Sequence, residues 1–450
     1  MKFGIVIKFV LKQKCVLLVR KHKMATQFST IEEALAWLHG QKNLIHRGSL
    51  DKIKMALAFL GNPHKNLKTI HISGTNGKGS VTAYLKQLFL AHGMSVGAFT
   101  SPHIMRFNER ITFNHEEISD ETLMRLMSQV ALMNDYMEQT EYGRLVYFEL
   151  YTVLMFLYFQ EKQPDICLIE VGIGGLLDCT NVIESSDVVI TTVGLDHIDK
   201  LGSTYAEIAT QKAGIIYPHS DVYVGELPES ALLAVESVCH EKGATLHHLP
   251  KEQPYQLVSE SLVEGTSFKI ADNFYTIHLL GRHQVHNAAL ARMVFVNWMQ
   301  KNCQKLDETK VRHALAATKW LARMEKMSDN PLVYIDGAHN EAGIKALIQV
   351  IQTHFENQSV SILYAGLQTK NQVEHLALLQ SMPLEQLVLT TFDHYQAMTE
   401  VQFAEIYQDS NVPTRFESDW YSVLQSRNNT IWIVTGSLYF VSEVRQKFIG

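Results

Sequence analysis

The sequence predicts an α/β protein of two domains, each a mainly parallel sheet layered with helices, on three observations. From Thr69 onward, short apolar runs alternate with helical patterns, as they must when strands are buried on both faces and joined by crossover helices. The runs fall into two series separated by a stretch that has none. And 450 residues exceed the roughly 250–300 at which a single core stops growing.

Taken in order, residues 1–23 carry apolar segments at Gly4–Val10 and Cys15–Val19, interrupted by Lys8, Lys12 and Lys14 well short of a membrane span. No small-residue cleavage site follows, so we read them as an extension ahead of a start at Met24, with a short edge strand as the alternative. Ser29-Thr30-Ile31-Glu32 reads as a helix start with a capping box. The first strand series is Ile70–Ile72, Val96–Phe99, Ile166–Val171, Val188–Val193 and Val222–Val224. Asp307–Lys326 reads as mostly helical and strandless, which puts the boundary near Ala317–Ala322 and the domains at 24–319 and 320–450. The second series is Leu332–Ile335, Val360–Ala365, Leu387–Thr390 and Ile431–Val434.

Composition narrows the function. With 46% hydrophobic and 19% charged residues the chain can bury a core. A net charge of −6 argues against a sequence-independent nucleic-acid binder, which needs a basic face. Five scattered cysteines, with no CxxC pair, suit a reducing cytoplasm and neither a disulfide framework nor a zinc site. A cytoplasmic monomer without nucleic-acid or membrane partners is the expectation.

The strongest local signal is His71-Ile72-Ser73-Gly74-Thr75-Asn76-Gly77-Lys78-Gly79-Ser80, a strand entering a glycine-rich turn with a helix from Val81 to Leu90 behind it. Glycines let backbone N–H groups converge on phosphate oxygens, and the helix N-terminus adds partial positive charge. Lys78 would meet the β- and γ-phosphates, and Ser80 matches the hydroxyl that meets phosphate-bound Mg²⁺ in ordinary phosphate loops. The spacing departs from GxxxxGK[ST], and a plain strand–turn–helix corner is the competing reading. The fold expected is therefore a P-loop-type ATPase domain on a mainly parallel sheet, followed by a smaller Rossmann-like α/β domain.

Triphosphate chemistry needs Mg²⁺ held by one or two carboxylates. Glu170 ends a strand that is otherwise apolar, an expensive place for a charge unless it meets a cation. Ser101 and His197 follow two other strands, where parallel sheets build their ligand crevice. Lys212 reads as an ordinary helix-terminal lysine.

Together these residues resemble a known family. Leu60-Gly61-Asn62-Pro63, the HISGTNGKGS loop, Ser101-Pro102-His103, Arg106–Ile111 and Glu170–Gly175 with Asp178, Thr180 and Asn181 are its blocks. Leu195-Asp196-His197, Lys212–Ile215, Gly281 with His283-Gln284 and Asn287, Trp320 with Arg323, Asp336–Asn340 and Thr435-Gly436-Ser437 continue them in order. The series is similar to the folylpolyglutamate synthase and dihydrofolate synthase family, a branch of the Mur-ligase superfamily. The resemblance implies ATP phosphates at Gly74, Thr75, Asn76, Gly77, Lys78, Gly79 and Ser80, with Asn287, Arg323 and Asp336 also on ATP. It implies two Mg²⁺ sites on Ser101, Glu170 and His197, and a carbamylated Lys212 assisting the second. His339 and Ser437 would lie near the incoming glutamate, and Gly174, Gly175 and Asp178 would help form the folate pocket. This chain departs at Leu176-Leu177, where Arg often follows the glycines, at Leu321, at Gln368–Asn371 and at Tyr395–Ala397.

The implied chemistry is ATP-dependent amide formation between L-glutamate and a reduced folate, with dihydropteroate as a further acceptor. A carboxylate is a poor electrophile; phosphoryl transfer makes an acyl phosphate, which the glutamate amine attacks. A peptidoglycan Mur ligase would need a domain ahead of the phosphate loop, for which Met24–His71 leaves no room. A P-loop kinase or GTPase is the alternative, but a guanine-reading Asn-Lys-x-Asp is missing. A non-catalytic nucleotide-binding module is opposed by the intact Arg323, Asp336 and His339.

Overall fold

Buried-on-both-faces strands are the skeleton of the chain. A computed structural model describes residues 28–41, 48–406, 412–425 and 430–449; the expected extension at 1–23 lies outside them. The first sheet contains β1 (Thr69–Ser73), β2 (Val96–Phe99), β3 (Ile111–Phe113), β4 (Glu116–Glu117), β5 (Ile166–Glu170), β6 (Asp187–Ile190), β7 (Asp221–Val224) and β8 (Thr245–His248). Its spatial order is β4-β3-β2-β5-β1-β6-β7-β8, parallel except where β3 and β4 turn back along the edge. Every residue of β1, β2, β5 and β6 is buried. That is why these strands read as unbroken apolar runs rather than alternations.

A second sheet, absent from the sequence reading, is the antiparallel trio β9 (Tyr255–Ser261), β10 (Gly265–Ile270) and β11 (Asn273–Ile277). The third holds β12 (Glu325–Asp329), β13 (Leu332–Ile335), β14 (Val360–Tyr364), β15 (Gln386–Leu389), β16 (Thr414–Phe416) and β17 (Ile431–Thr435). Its order is β12-β13-β17-β14-β15-β16, parallel except for β12. Two α/β units in series follow, as expected from the alternating pattern.

Three expectations need correction. Asp307–Lys326 is helical only over Glu308–Ala317, and β12 begins at Glu325. The sequence Glu-Lys-Met-Ser-Asp of β12 lies half exposed on an edge, so no apolar run marks it. The strand read at Val188–Val193 ends at Ile190, and beyond it the Thr191 and Thr192 hydroxyls donate to the Asn76 carbonyl at 2.6 and 3.1 Å. The first described helix, Ile31–His39, is capped one residue later than read: the Thr30 hydroxyl accepts from Glu33 N, and Glu33 reaches back to Ser29 N.

The helix after the phosphate loop, Lys78–Ala91, packs against the long helix Arg282–Lys301, with Phe89 edge-on to Phe295 and Trp298, each at 5.0 Å. No helix among the described residues is long and apolar enough to cross a membrane.

Candidate active site

Strands β1, β2, β5 and β6 run parallel, so their C-terminal ends open onto one edge, and chain order reverses about β1. That is where open α/β sheets bind ligands. The phosphate loop leaves β1 there. Gly74 adopts φ +152°, and a Cβ on it would lie 1.8 Å from the Thr191 hydroxyl, so only glycine fits. Gly77 is the left-handed N-cap of Lys78–Ala91 at φ +85°, and a Cβ there would lie 2.5 Å from Asn287 Oδ1. The loop is pinned to the strand end of β6: Thr75 N donates to Thr192 O and Asn76 N to the Thr192 hydroxyl, both at 2.9 Å. Lys78 Nζ donates to the carbonyls of Gly74 and Thr75 at 3.0 and 3.2 Å, which holds its charge over the turn. Gly79 lies beneath Trp320, whose ring would meet a Cβ at 2.8 Å, and Ser80 is buried in the first turn of the helix.

Glu170 ends β5 beside this turn. It is 3% exposed, and its Oε2 is buried without a hydrogen-bond partner. Burial pushes its carboxyl up to about 7, against the pull of the Lys78 cation and the Ser101 backbone amide. His197, left-handed at φ +51°, opens the short helix Ile198–Leu201. Burial lowers its imidazole to about 4, the Asp196 carboxylate opposing and Lys370, Lys200 and Lys78 assisting. A neutral imidazole is the metal-ligating form. Among the described residues there is no ready cage of three His, Cys, Asp or Glu side chains. Mg²⁺ does not need one, since it keeps waters and takes phosphate oxygens alongside one or two carboxylates. An unpartnered buried carboxylate oxygen next to a phosphate loop fits such an ion.

Lys212 is a surprise of placement. It is 2% exposed on the helix Tyr205–Ala213, and burial, with the nearby Lys78 cation, brings its amine down to about 7. The loop after β5 presses on the same helix end: Leu176 N donates to Gln211 O at 2.8 Å, and a Cβ on Gly175 would lie 2.7 Å from Lys212 O. Gly174 accepts from the Ser73 hydroxyl, tying this loop to β1. Asp178 works within it, accepting from Thr180 N and its hydroxyl and from Ile173 N.

The strand ends of the third sheet face those of the first. Gly337 to Asn340 follow β13, and Ser437 follows β17. Arg323 leaves the linker between the two sheets; among the described residues no carboxylate lies within ion-pair distance of it, although its charge acts on Glu170 and Asp336. The Asp336 carboxylate accepts from Met324 N and Ala338 N, both at 2.9 Å, and burial raises its pKa. His339 donates Nδ1–H to Gly337 O at 2.8 Å, since a carbonyl can only accept, which leaves Nε2 as the free acceptor. Burial holds this ring neutral, at about 4. Ser437 is 2% exposed, and its hydroxyl accepts from Tyr439 N. Asn287, 3% exposed, donates to Gln284 and lies under the phosphate turn.

A profile described as the Mur ligase middle domain matches residues 72–295. The dihydrofolate synthase/folylpolyglutamate synthase of Bacillus subtilis is 33% identical over 437 residues, which span 93% of this chain and 99% of the relative. The chain belongs to the folylpolyglutamate synthase/dihydrofolate synthase family. Among solved structures of this family, a Mycobacterium tuberculosis folylpolyglutamate synthase complexed with ADP aligns over 93% of this chain and 98% of its own, with a TM-score of 0.85 and 27% identity. An FPGS–AMPPCP–folate complex aligns over 94% of this chain and all of its own, with a TM-score of 0.82 and 31% identity. Family membership displaces the kinase and GTPase alternative. The fold and the ATP-binding character follow from it.

Sequence reasoning passed over several residues that shape this family's cleft here. Arg110, 6% exposed, lies over the rings of Tyr151 and Phe107, with centroids 5.0 and 5.7 Å away. Its Nε donates to His103 and its NH1 to Tyr151; no carboxylate among the described residues comes within ion-pair distance. The signal was present, since Arg110 sits inside the Arg106–Ile111 stretch, but nothing in one sequence says that it is buried. Asp196, Asn340 and Lys370 also lie inside stretches named from the sequence, but the bonds that join them emerge only in three dimensions.

Proposed function

We propose that this chain ligates L-glutamate to the carboxylate of a reduced folate at the expense of ATP, with dihydropteroate as a second acceptor. One observation carries the reading: a phosphate loop, a buried carboxylate with one oxygen left without a hydrogen bond, and Arg323, which has no ion-pair partner among the described residues, meet along one seam between the first and third sheets. That is the equipment of phosphoryl transfer to a substrate lying between domains. The names of the relatives support the acceptor and the amine.

In this reading the Gly74–Ser80 backbone and Lys78 cradle the phosphates, and Asn287 meets the nucleotide from beneath. Arg323 and Asp336 approach it from the linker and the third sheet. Glu170, His197 and Ser101 would hold Mg²⁺, which would supply positive charge to offset the phosphate oxygens. Lys78 shares that work from the loop side. The folate carboxylate attacks the γ-phosphorus, ADP leaves, and the glutamate amine displaces phosphate from the acyl phosphate. His339, neutral with Nε2 free, can accept a proton from that amine, and Ser437 borders the same pocket. Closing both sheet edges over the acyl phosphate excludes water, which favours aminolysis over hydrolysis. Arg110, a buried cation over the rings of Tyr151 and Phe107, suits the folate end; the Asp178 charge acts on the same Tyr151, and Gly174 and Gly175 belong to the loop that carries Asp178.

In this reading Lys212 is carbamylated: a neutral lysine amine adds CO₂ and releases a proton, converting a buried cation into a carboxylate that would serve a second Mg²⁺ site. The working unit is taken as a monomer in the cytoplasm, with domains divided at 319/320. Purified protein with ATP, Mg²⁺ and radiolabelled glutamate, offered tetrahydrofolate, dihydropteroate or a UDP-muramyl acceptor, tests the function. Label should enter the two pteridine acceptors. Label in none, or in the muramyl acceptor alone, removes the reading.

A further inference from the structure

We infer that Asp196 and Lys370 form a clasp that holds the third sheet's loops over the phosphate loop, with Asp196 and Lys370 acting as positioning residues for ligation. The inference rests on the ligase reading and adds to it the part that sets the distance between its two halves.

Lys370 Nζ lies 2.5 Å from Asp196 Oδ1, with the two side chains only 15% and 12% exposed. Asp196 follows β6 in the first sheet, whereas Lys370 follows β14 in the third. Among the described residues neither has another ion-pair partner. The second Asp196 oxygen accepts from Asn340 Nδ2 at 3.3 Å. Asn340 and Asn76 of the phosphate loop then exchange amide hydrogen bonds of 3.1 and 3.0 Å. Four side chains from four strand-end loops therefore bridge the seam in one continuous chain of bonds.

Each end is anchored in its own domain. Asn340 caps the helix Glu341–His354, accepting from Gly343 N at 2.9 Å. Asp196 accepts from His197 N at 2.9 Å, and Asn76 is fixed by Thr191 and Thr192. A contact between two rigid anchors transmits position; a contact between two floppy side chains does not. The residues beside the clasp are the ones whose separation matters: Lys78 and His197 on one side, His339 on the other. Misplacing reacting groups by an ångström can cost about 100-fold in rate. A pair this dry also leaves a stranded charge when one partner is removed, so loss of either end opens the seam.

Because Asp196 adjoins His197, the variants of Lys370 decide the matter. Lys370→Met should lower kcat about tenfold and raise the KM for glutamate, with the Kd for a non-hydrolysable ATP analogue unchanged within about twofold. Lys370→Arg should restore most of the rate. Asp196→Asn combined with Lys370→Met should be no slower than the slower single variant, since both break one bond. Small-angle X-ray scattering of ligand-free protein should show a larger radius of gyration for Lys370→Met. A wild-type kcat in Lys370→Met, multiplicative losses in the double variant, or unchanged scattering overturns the clasp. If the wild-type protein makes no labelled product, the ligase reading falls, and the scattering comparison still decides the clasp by itself.

Discussion

At the scale of single residues, Lys212 and Glu170 are buried ionisable groups that the fold holds at a cost. An amine at about 7, against 10.5 when unfolded, is lost as a proton site on folding. Between those values the unfolded chain binds more protons, so stability rises with pH across that window, and the penalty is complete below its lower end. In CO₂-free buffer Lys212→Met should therefore melt higher than wild type. The gap should be widest below about pH 7 and close as pH rises toward about 10. The same variant should lose more than about 100-fold in turnover with analogue affinity held within about threefold, read by single-turnover assay and titration calorimetry. Near wild-type turnover would refute the carbamate role. Glu170 has the opposite sign: its carboxyl is raised from 4.5 to about 7, so stability falls as pH rises through that interval. A bound cation cancels the penalty. Thermal shifts on adding Mg²⁺ with an ATP analogue should be larger at about pH 8 than at about pH 5. Equal shifts at both would separate Glu170 from the metal.

At the scale of elements, what was legible follows from burial. Strands covered on both faces, such as β1 and β5, are apolar throughout and visible from sequence. Edge strands are not: β12 carries Glu325, Lys326, Ser328 and Asp329 because one side faces water. The trio β9–β11 was missed because its outer strands β9 and β11 are partly exposed, with Val258 and Phe274 turned out to solvent, and the buried middle strand β10 mixes Thr266, Ser267 and Lys269 among its apolar residues. The phosphate turn was legible because its glycines are forced by space as well as by φ. Gly74→Ala tests this at the element level. The added methyl cannot coexist with Thr191 without moving β1 against β6, and overpacking of this kind costs about 1–3 kcal/mol. A urea titration should show the lower midpoint with an unchanged slope. Pairing with Thr191→Ala, which removes the clashing hydroxyl, should recover part of the loss.

At the scale of the whole molecule, the first and third sheets meet through the loops at their strand ends, and their meeting is apolar as well as polar. The loop after β2, which carries Ser101, sends Ile104 and Met105 into the third sheet's core beside Phe440 and Val441. The Glu109 carboxylate stiffens this loop by accepting from Ile104 N, Met105 N and Arg106 N, and the Ser442 hydroxyl donates to Ile104 O. No periodicity could reveal such a dock, because Ile104 and Ser442 are 338 positions apart. Ile104 is 9% exposed, and burying an isoleucine contributes about 1.5–3 kcal/mol, so the dock is strong enough to couple the melting of the two halves. Calorimetry of the wild-type protein should show one transition. Ile104→Ser replaces that apolar anchor with a hydroxyl and should split the transition in two, with the third-sheet unit melting first or last but separately. Because Ser101 rides on the same loop, the variant should also slow turnover about tenfold, without weakening ATP-analogue binding at the phosphate turn. A single unshifted transition would mean that the polar bridges alone join the halves, and that the Ile104 dock is passive.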